Sequence, residues 1–201
     1  MNTSPLRLIA LPLLAAAATA ATAATAATAA PAATVWVTDA ASSKLTFVAT
    51  QAGGEFEGRF ARFTPAIVFD PADLAHSRFN VDIATAAAET GEHDRDNILK
   101  GKDFFAVERW PQARFETRVF RVTGPASYEA TGKLTLRDVT REVRLPFTFK
   151  RGADGKSAVL AGTTTVRRLD FGVGQGEWID TQWVGNDVRI HFELNLKQAP
   201  P

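Results

Sequence analysis

Val188-Arg-Ile190-His-Phe192-Glu-Leu194-Asn-Leu196-Lys197 alternates an apolar residue with a polar one over ten positions. Successive side chains of an extended strand point to opposite faces, so the five apolar ones share a face. Burying them at ~1.5–3 kcal/mol each makes a one-residue slip cost roughly 10 kcal/mol. One face of this strand is therefore committed to an interior.

The same period of two runs through the chain. Val143, Leu145, Phe147 and Phe149 alternate with Glu142, Arg144, Pro146 and Thr148, and Phe79, Val81 and Ile83 with Asn80 and Asp82. Further strands are expected over 44–50, 55–63, 66–69, 113–122, 128–136 and 158–167. Turn signals separate them at Gly53-Gly54, Pro65, Asp70-Pro71, Gly124-Pro125 and Gly152–Gly155. One stretch departs: 94–105 places Ile98, Leu99, Lys102 and Phe105 at helical spacing, with Asp94 and Asp96 in its first turn and Gly101 interrupting it. Eight or nine strands, one helix and no strand–helix alternation exclude a parallel sheet. Of the two antiparallel solutions, sandwich and barrel, the pattern favours an all-β, up-and-down, eight-stranded barrel with one short helix on a long connection. A membrane barrel needs aromatic girdles rich in tyrosine, and the chain has only Tyr128.

The chain starts differently. Arg7 precedes an apolar run, 8–18, broken by Pro12, and Thr-Ala-Ala repeats follow as far as Ala30. A basic start, a short apolar stretch and small residues describe a secretory signal, and the leucine-rich part is shorter than the ~20 residues a membrane span needs. We expect a signal and leader over 1–33, a mature start near Pro31–Thr34, a folded domain over 34–198, and a periplasmic or secreted location. Without Arg7 the 23 basic residues become 22, equal to the 22 acidic ones; no basic stripe marks a nucleic-acid binder. The absence of cysteine excludes thiolate metal sites and thiol catalysis. Fourteen phenylalanines against one tyrosine provide apolar area with few hydroxyls to satisfy, so the interior is dry.

Little in the sequence points to catalysis. Glu92-His93-Asp94-Arg95-Asp96 is the densest polar cluster and the basis of an alternative reading, a hydrolase or isomerase using His93, Asp94 and Asp96. With no second histidine at ligand spacing it reads better as a charged loop and helix start. Gly172-Val-Gly174-Gln-Gly176 lacks the following helix and lysine of a phosphate loop and reads as a loop at a barrel mouth. No Gly-x-Ser-x-Gly elbow is present. Inward phenylalanines serve a filled core and a ligand cavity equally well. A structural or stress-response protein with a filled barrel is therefore a second alternative.

An ordered set of short motifs favours the ligand cavity. Gly58-Arg-Phe60, Phe69-Asp70, Asp94-Arg-Asp96 with Leu99, Phe104-Phe105 and Pro111-x-x-x-Phe115 are followed by Gly132-Lys-Leu-Thr-Leu136, Asp138-Val-Thr140 and Arg168-x-Asp170-Phe-Gly172. Together, from Val35 to Leu196, they resemble the YceI-like family. Three positions depart from its usual pattern: Asp39-Ala-Ala-Ser42-Ser43, Thr50-Gln51 and Ala106. The resemblance implies a lipocalin-like barrel of periplasmic or secreted bacterial proteins that bind polyisoprenoid chains, isoprenoid quinones or other long amphiphiles, some of them linked to stress responses. It implies no catalysis, and no cofactor beyond a bound isoprenoid lipid or quinone. It turns the phenylalanine-rich interior into a tunnel. Inward register then assigns its lining to Phe47, Phe69, Phe79, Phe115, Leu134, Leu136, Leu145, Phe147, Ile190 and Phe192, with Phe104, Phe105, Phe171 and Trp178 nearer the mouth. The expected partner is a lipid rather than a nucleic acid, with no membrane span, and the sequence leaves the oligomeric state open, a homodimer included.

Overall fold

The computed structural model describes residue 1 and residues 33–200. Apart from Met1 and Ala33, the expected signal and leader lie outside the described residues. Eleven strands follow in order: β1 (Val35–Thr38), β2 (Lys44–Gln51), β3 (Gly54–Phe60), β4 (Phe63–Val68), β5 (Arg78–Ala84), β6 (Ala88–Glu89), β7 (Gln112–Gly124), β8 (Ser127–Leu136), β9 (Val139–Arg151), β10 (Ser157–Arg167) and β11 (Asp187–Gln198). One helix, α1 (His93–Lys100), lies between β6 and β7.

These strands build eight staves. β1 and β2 both pair with β11, one at each end of it: Thr38 faces Leu196 and Lys44 faces Glu193. They are one stave interrupted at 39–43. β3 and β4 form the next, pairing with β2 and β1 respectively and interrupted at Ala61-Arg62. β5 and β6 form the third, interrupted by a 3₁₀ turn at Thr85–Ala87. Single strands β7 to β11 complete the circuit, each antiparallel to its neighbour. The result is a closed, antiparallel, up-and-down barrel of eight staves, as the alternation predicts.

Pro65 corrects one expectation. It lies inside β4, opposite Val81 of β5, and makes no turn. The turn falls earlier, at Ala61-Arg62, and splits the strand expected over 55–63. The helix also ends sooner than expected, because Gly101 takes an extended conformation (φ −66°, ψ 169°). Neither Asp94 nor Asp96 caps it. The Asp96 carboxylate instead accepts the N–H and hydroxyl of Thr90, both at 2.7 Å.

The interruptions at 61–62 and 85–87 are bonded to each other: Ala61 N–H donates to Ala87 O and Ala84 N–H to Arg62 O. With the gap at 39–43 they make a row of joints across three neighbouring staves. Above this row β2, β3 and β6 form a small panel joined to the barrel through β11, and β6 has no second neighbour strand among the described residues. Local opening follows the number of ladder bonds and packed neighbours. Amide hydrogen exchange should therefore be faster in β3 and β6 than in β8 and β9. Equal protection would show that the joints do not weaken the wall.

Candidate functional site

The interior has three levels. At the lower end an aromatic floor fills the barrel. Phe69 is wholly buried, with ring centroids of Phe79, Phe120, Tyr128, Phe147 and Phe149 between 4.9 and 5.8 Å from its own. Trp36 donates its indole N–H to Phe69 O at 2.9 Å. At the upper end Phe47, Leu99, Phe104, Phe105, Phe171 and Val173 form a second packed cluster. Its outer cover is α1 with the connections that follow it and β10.

Between floor and cover lies a cavity of about 150 Å³. Phe79, Phe105, Phe115, Leu134, Leu136, Leu145, Ile190 and Phe192, all expected from the sequence, line it. So do Leu45, Phe60, Phe63, Ile67, Val81, Ile83, Thr85, Ala113, Val143, Leu160, Thr164, Val166 and Leu194. Val81, Ile83, Val143 and Leu194 are in phase with expected neighbours, so the alternation already held them. Phe60 and Phe63 have opposite parity, and both reach the interior because the break at Ala61-Arg62 resets the phase.

The other expected residues lie elsewhere. Phe69 and Phe147 belong to the floor. Phe47 belongs to the upper cluster, its ring lying over Gly58, where an added Cβ would come within 2.2 Å of it. Phe171 is buried in the same cluster. Phe104 and Trp178, with ring centroids 5.5 Å apart, border a separate cleft beside α1. Only Phe105 of the four expected near the mouth reaches the cavity.

The cavity offers a ligand no free hydrogen-bonding group of its own. Its two hydroxyls are taken by main chain: Thr85 donates to Trp110 O at 2.9 Å and Thr164 to Arg144 O at 2.8 Å. Everything else on its wall is hydrocarbon. The polar cluster singled out in the sequence is remote from it. His93 and Asp94 are exposed, Asp96 braces Thr90, and the Arg95 guanidinium lies 4.3 Å above the Phe56 ring with Nε donating to Gln51 at 3.2 Å. Among the described residues no three His, Asp or Glu side chains gather to hold a metal ion.

Two arginines pin the cover, a role that no pattern in the sequence announces. Arg168 is 4% exposed and donates from Nε to Gly185 O, from Nη1 to Val173 O and Gly174 O, and from Nη2 to Trp178 O and Val184 O, at 2.6–3.2 Å. All five acceptors are main-chain carbonyls, and no carboxylate pairs with it among the described residues. Burial pulls its pKa below the ordinary arginine value. Gly174, at φ +84°, is required here, since a Cβ would lie 2.1 Å from Nη1. Arg137, in the β8–β9 turn at φ 58°, donates to Phe104 O and Gly172 O and lies 4.7 Å from the Trp110 ring. Through Arg168 the motif 168–172 thus works as a clamp on loops.

Residues 36–196 match the profile of the YceI-like domain. The chain belongs to the YceI-like family. Related YceI-like chains include a UPF0312 protein of Pseudomonas savastanoi pv. phaseolicola, 34% identical over 141 residues that cover 68% of this chain and 71% of the relative. Another, from Vibrio parahaemolyticus, is 27% identical over 80% of this chain and 83% of its own length. Among solved structures, Burkholderia cenocepacia BcnA superposes with a TM-score of 0.76 at 33% identity, covering 79% of this chain and 99% of that one. A polyisoprenoid-binding domain from Saccharophagus degradans, implicated in plant cell wall breakdown, reaches a TM-score of 0.65 at 15% identity, over 83% of this chain and 99% of that domain. At that identity the likeness speaks for the YceI-like barrel alone.

Proposed function

We propose that this protein is a periplasmic or secreted binding protein that carries or sequesters a long-chain isoprenoid, quinone-like or other amphiphilic lipid inside its barrel, without chemical change. One observation carries the reading: an internal cavity whose only two hydroxyls are already bonded to main chain. Such a space rewards hydrocarbon, at ~0.8 kcal/mol per buried methylene before the costs of association, and gives nothing to a polar substrate. The polyisoprenoid binding of the Saccharophagus domain supports the choice of ligand class. The basic, then apolar, then small-residue start of the chain supports export.

Native mass spectrometry of protein purified without detergent should show an apolar adduct. Ala113, buried on the cavity wall, gives the matching variant. Ala113→Phe should fill the space and weaken uptake of a short-chain isoprenoid quinone at least tenfold, with far-UV circular dichroism unchanged; overpacking costs about 1–3 kcal/mol, which a domain of this size withstands. A protein that carries no adduct and takes up no quinone, or a variant that binds as well as the parent, would count against the proposal.

A further inference from the structure

The barrel wall is open at one place. The β1–β4 ladder holds only at Val35–Val68 and Trp36–Ile67. Continued, that register would set Thr38 against Pro65. Phe69 N–H donates to Thr34 O at 2.9 Å, so by alternation Ile67 and residue 65 also turn their main-chain groups toward β1. Pro65 has no N–H to give. The two strands part there, and a groove of about 540 Å³ occupies the parting.

Inward-facing Trp36, Thr38 and Phe63 border this groove together with outward-facing Val37 and Ala66. Side chains from opposite faces of a strand can border one space only around its edge. The groove therefore lies along the strand edge at the parting. Phe63 and Ile67 line both it and the internal cavity, so the two spaces adjoin at those side chains. At the same level the Thr38 hydroxyl is buried and has no hydrogen-bond partner among the described residues. A buried hydroxyl without a partner is a cost that a native fold rarely carries without reason.

We propose that this parting is a lateral port, and that an amphiphilic ligand lies through it, its chain in the cavity and an oxygen-bearing end group hydrogen-bonded to Thr38. This rests on the lipid-binding reading above. It also answers a question of size. A rigid apolar cavity of about 150 Å³ holds a benzene-sized group, whereas cavity and groove joined take a chain several times longer. On the outer lip Thr64, Arg78 and Asn80 set polar groups beside the exposed Val35, Val37 and Ala66, a mixed rim that suits the outer end of an amphiphile.

Because the chain has no cysteine, a single introduced thiol is unique. Ala66→Cys, exposed on the lip, would be coupled to a polyethylene-glycol maleimide, with Val159→Cys on β10 as the control. Uptake of a two-isoprene ubiquinone, followed by tryptophan quenching, should slow at least tenfold after coupling at position 66 and stay unchanged after coupling at 159. In parallel, Thr38→Val should weaken the quinone roughly five- to tenfold and leave squalene, which has no oxygen, unaffected. Unaltered uptake after coupling at 66 would overturn the port. A Thr38→Val variant that weakens both ligands equally, or neither, would overturn the contact with the end group. If the unmodified protein takes up neither ligand, the lipid reading itself falls and the port with it.

Discussion

Arg168→Ala should be the most damaging single change at the upper end of the barrel, lowering stability by more than about 4 kcal/mol. The substitution strips donors from five main-chain carbonyls at once, those of Val173, Gly174, Trp178, Val184 and Gly185, in a place water does not reach freely. Each orphaned acceptor costs about 1–3 kcal/mol, reduced where the loop can open to solvent. Arg168→Lys separates charge from geometry. An ammonium keeps the charge but offers three donors on a flexible stem where the guanidinium fork offers five, so roughly half the loss should persist. Denaturant midpoints for the three proteins measure both effects. A lysine variant as stable as the parent would show that charge alone is needed there.

Phe69→Ala should cost about 3–5 kcal/mol for a different reason, the removal of a ring from a close-packed floor. Phe69 is fully buried and touches five other aromatic rings, three of them (Tyr128, Phe147, Phe149) edge-on within 5.3 Å. Its neighbours are held by four different staves, those of β5, β7, β8 and β9, and cannot close in together, which puts the expected value at the upper part of that range. Equilibrium unfolding in guanidinium gives the number directly; a loss below about 1 kcal/mol would mean that the floor repacks like a liquid, against the density of protein interiors.

These two residues also show what the sequence made legible. Alternation in β11, β9 and β5 stated the inward face, and with it eight residues of the cavity wall, because a strand with one buried face has a single acceptable register. It could not say how far along the stave a residue stands. Phe69 and Phe115 obey the same alternation, yet one lies in the floor and the other lines the cavity. Height depends on how the staves are sheared against each other, which no single strand encodes. Arg168 stood in a quoted motif, but its role was invisible for another reason. Its partners are carbonyl oxygens, which every residue carries, so no pattern of side chains announces them. Pro65 carried a true signal that was read as a turn: the missing N–H ends a ladder, and the strand goes on. The Phe60–Phe63 pair was half legible, since the phase reset between them appears only once the joint at Ala61-Arg62 is known.

The pairing of the first stave with the last has a consequence for how the molecule comes into being. Trp36 faces Gln198, and the Ser43 hydroxyl accepts the N–H of Asn195, 152 positions away. Contacts of such separation form late, after the loop-closure entropy has been overcome. A chain whose final strand has not docked leaves its phenylalanine face uncovered, the kind of surface that aggregates or finds an apolar guest. A lipid at hand in that interval would be enclosed by folding itself. Under the lipid-binding proposal a first ligand would be sealed in at birth, and only later exchange would need the proposed port.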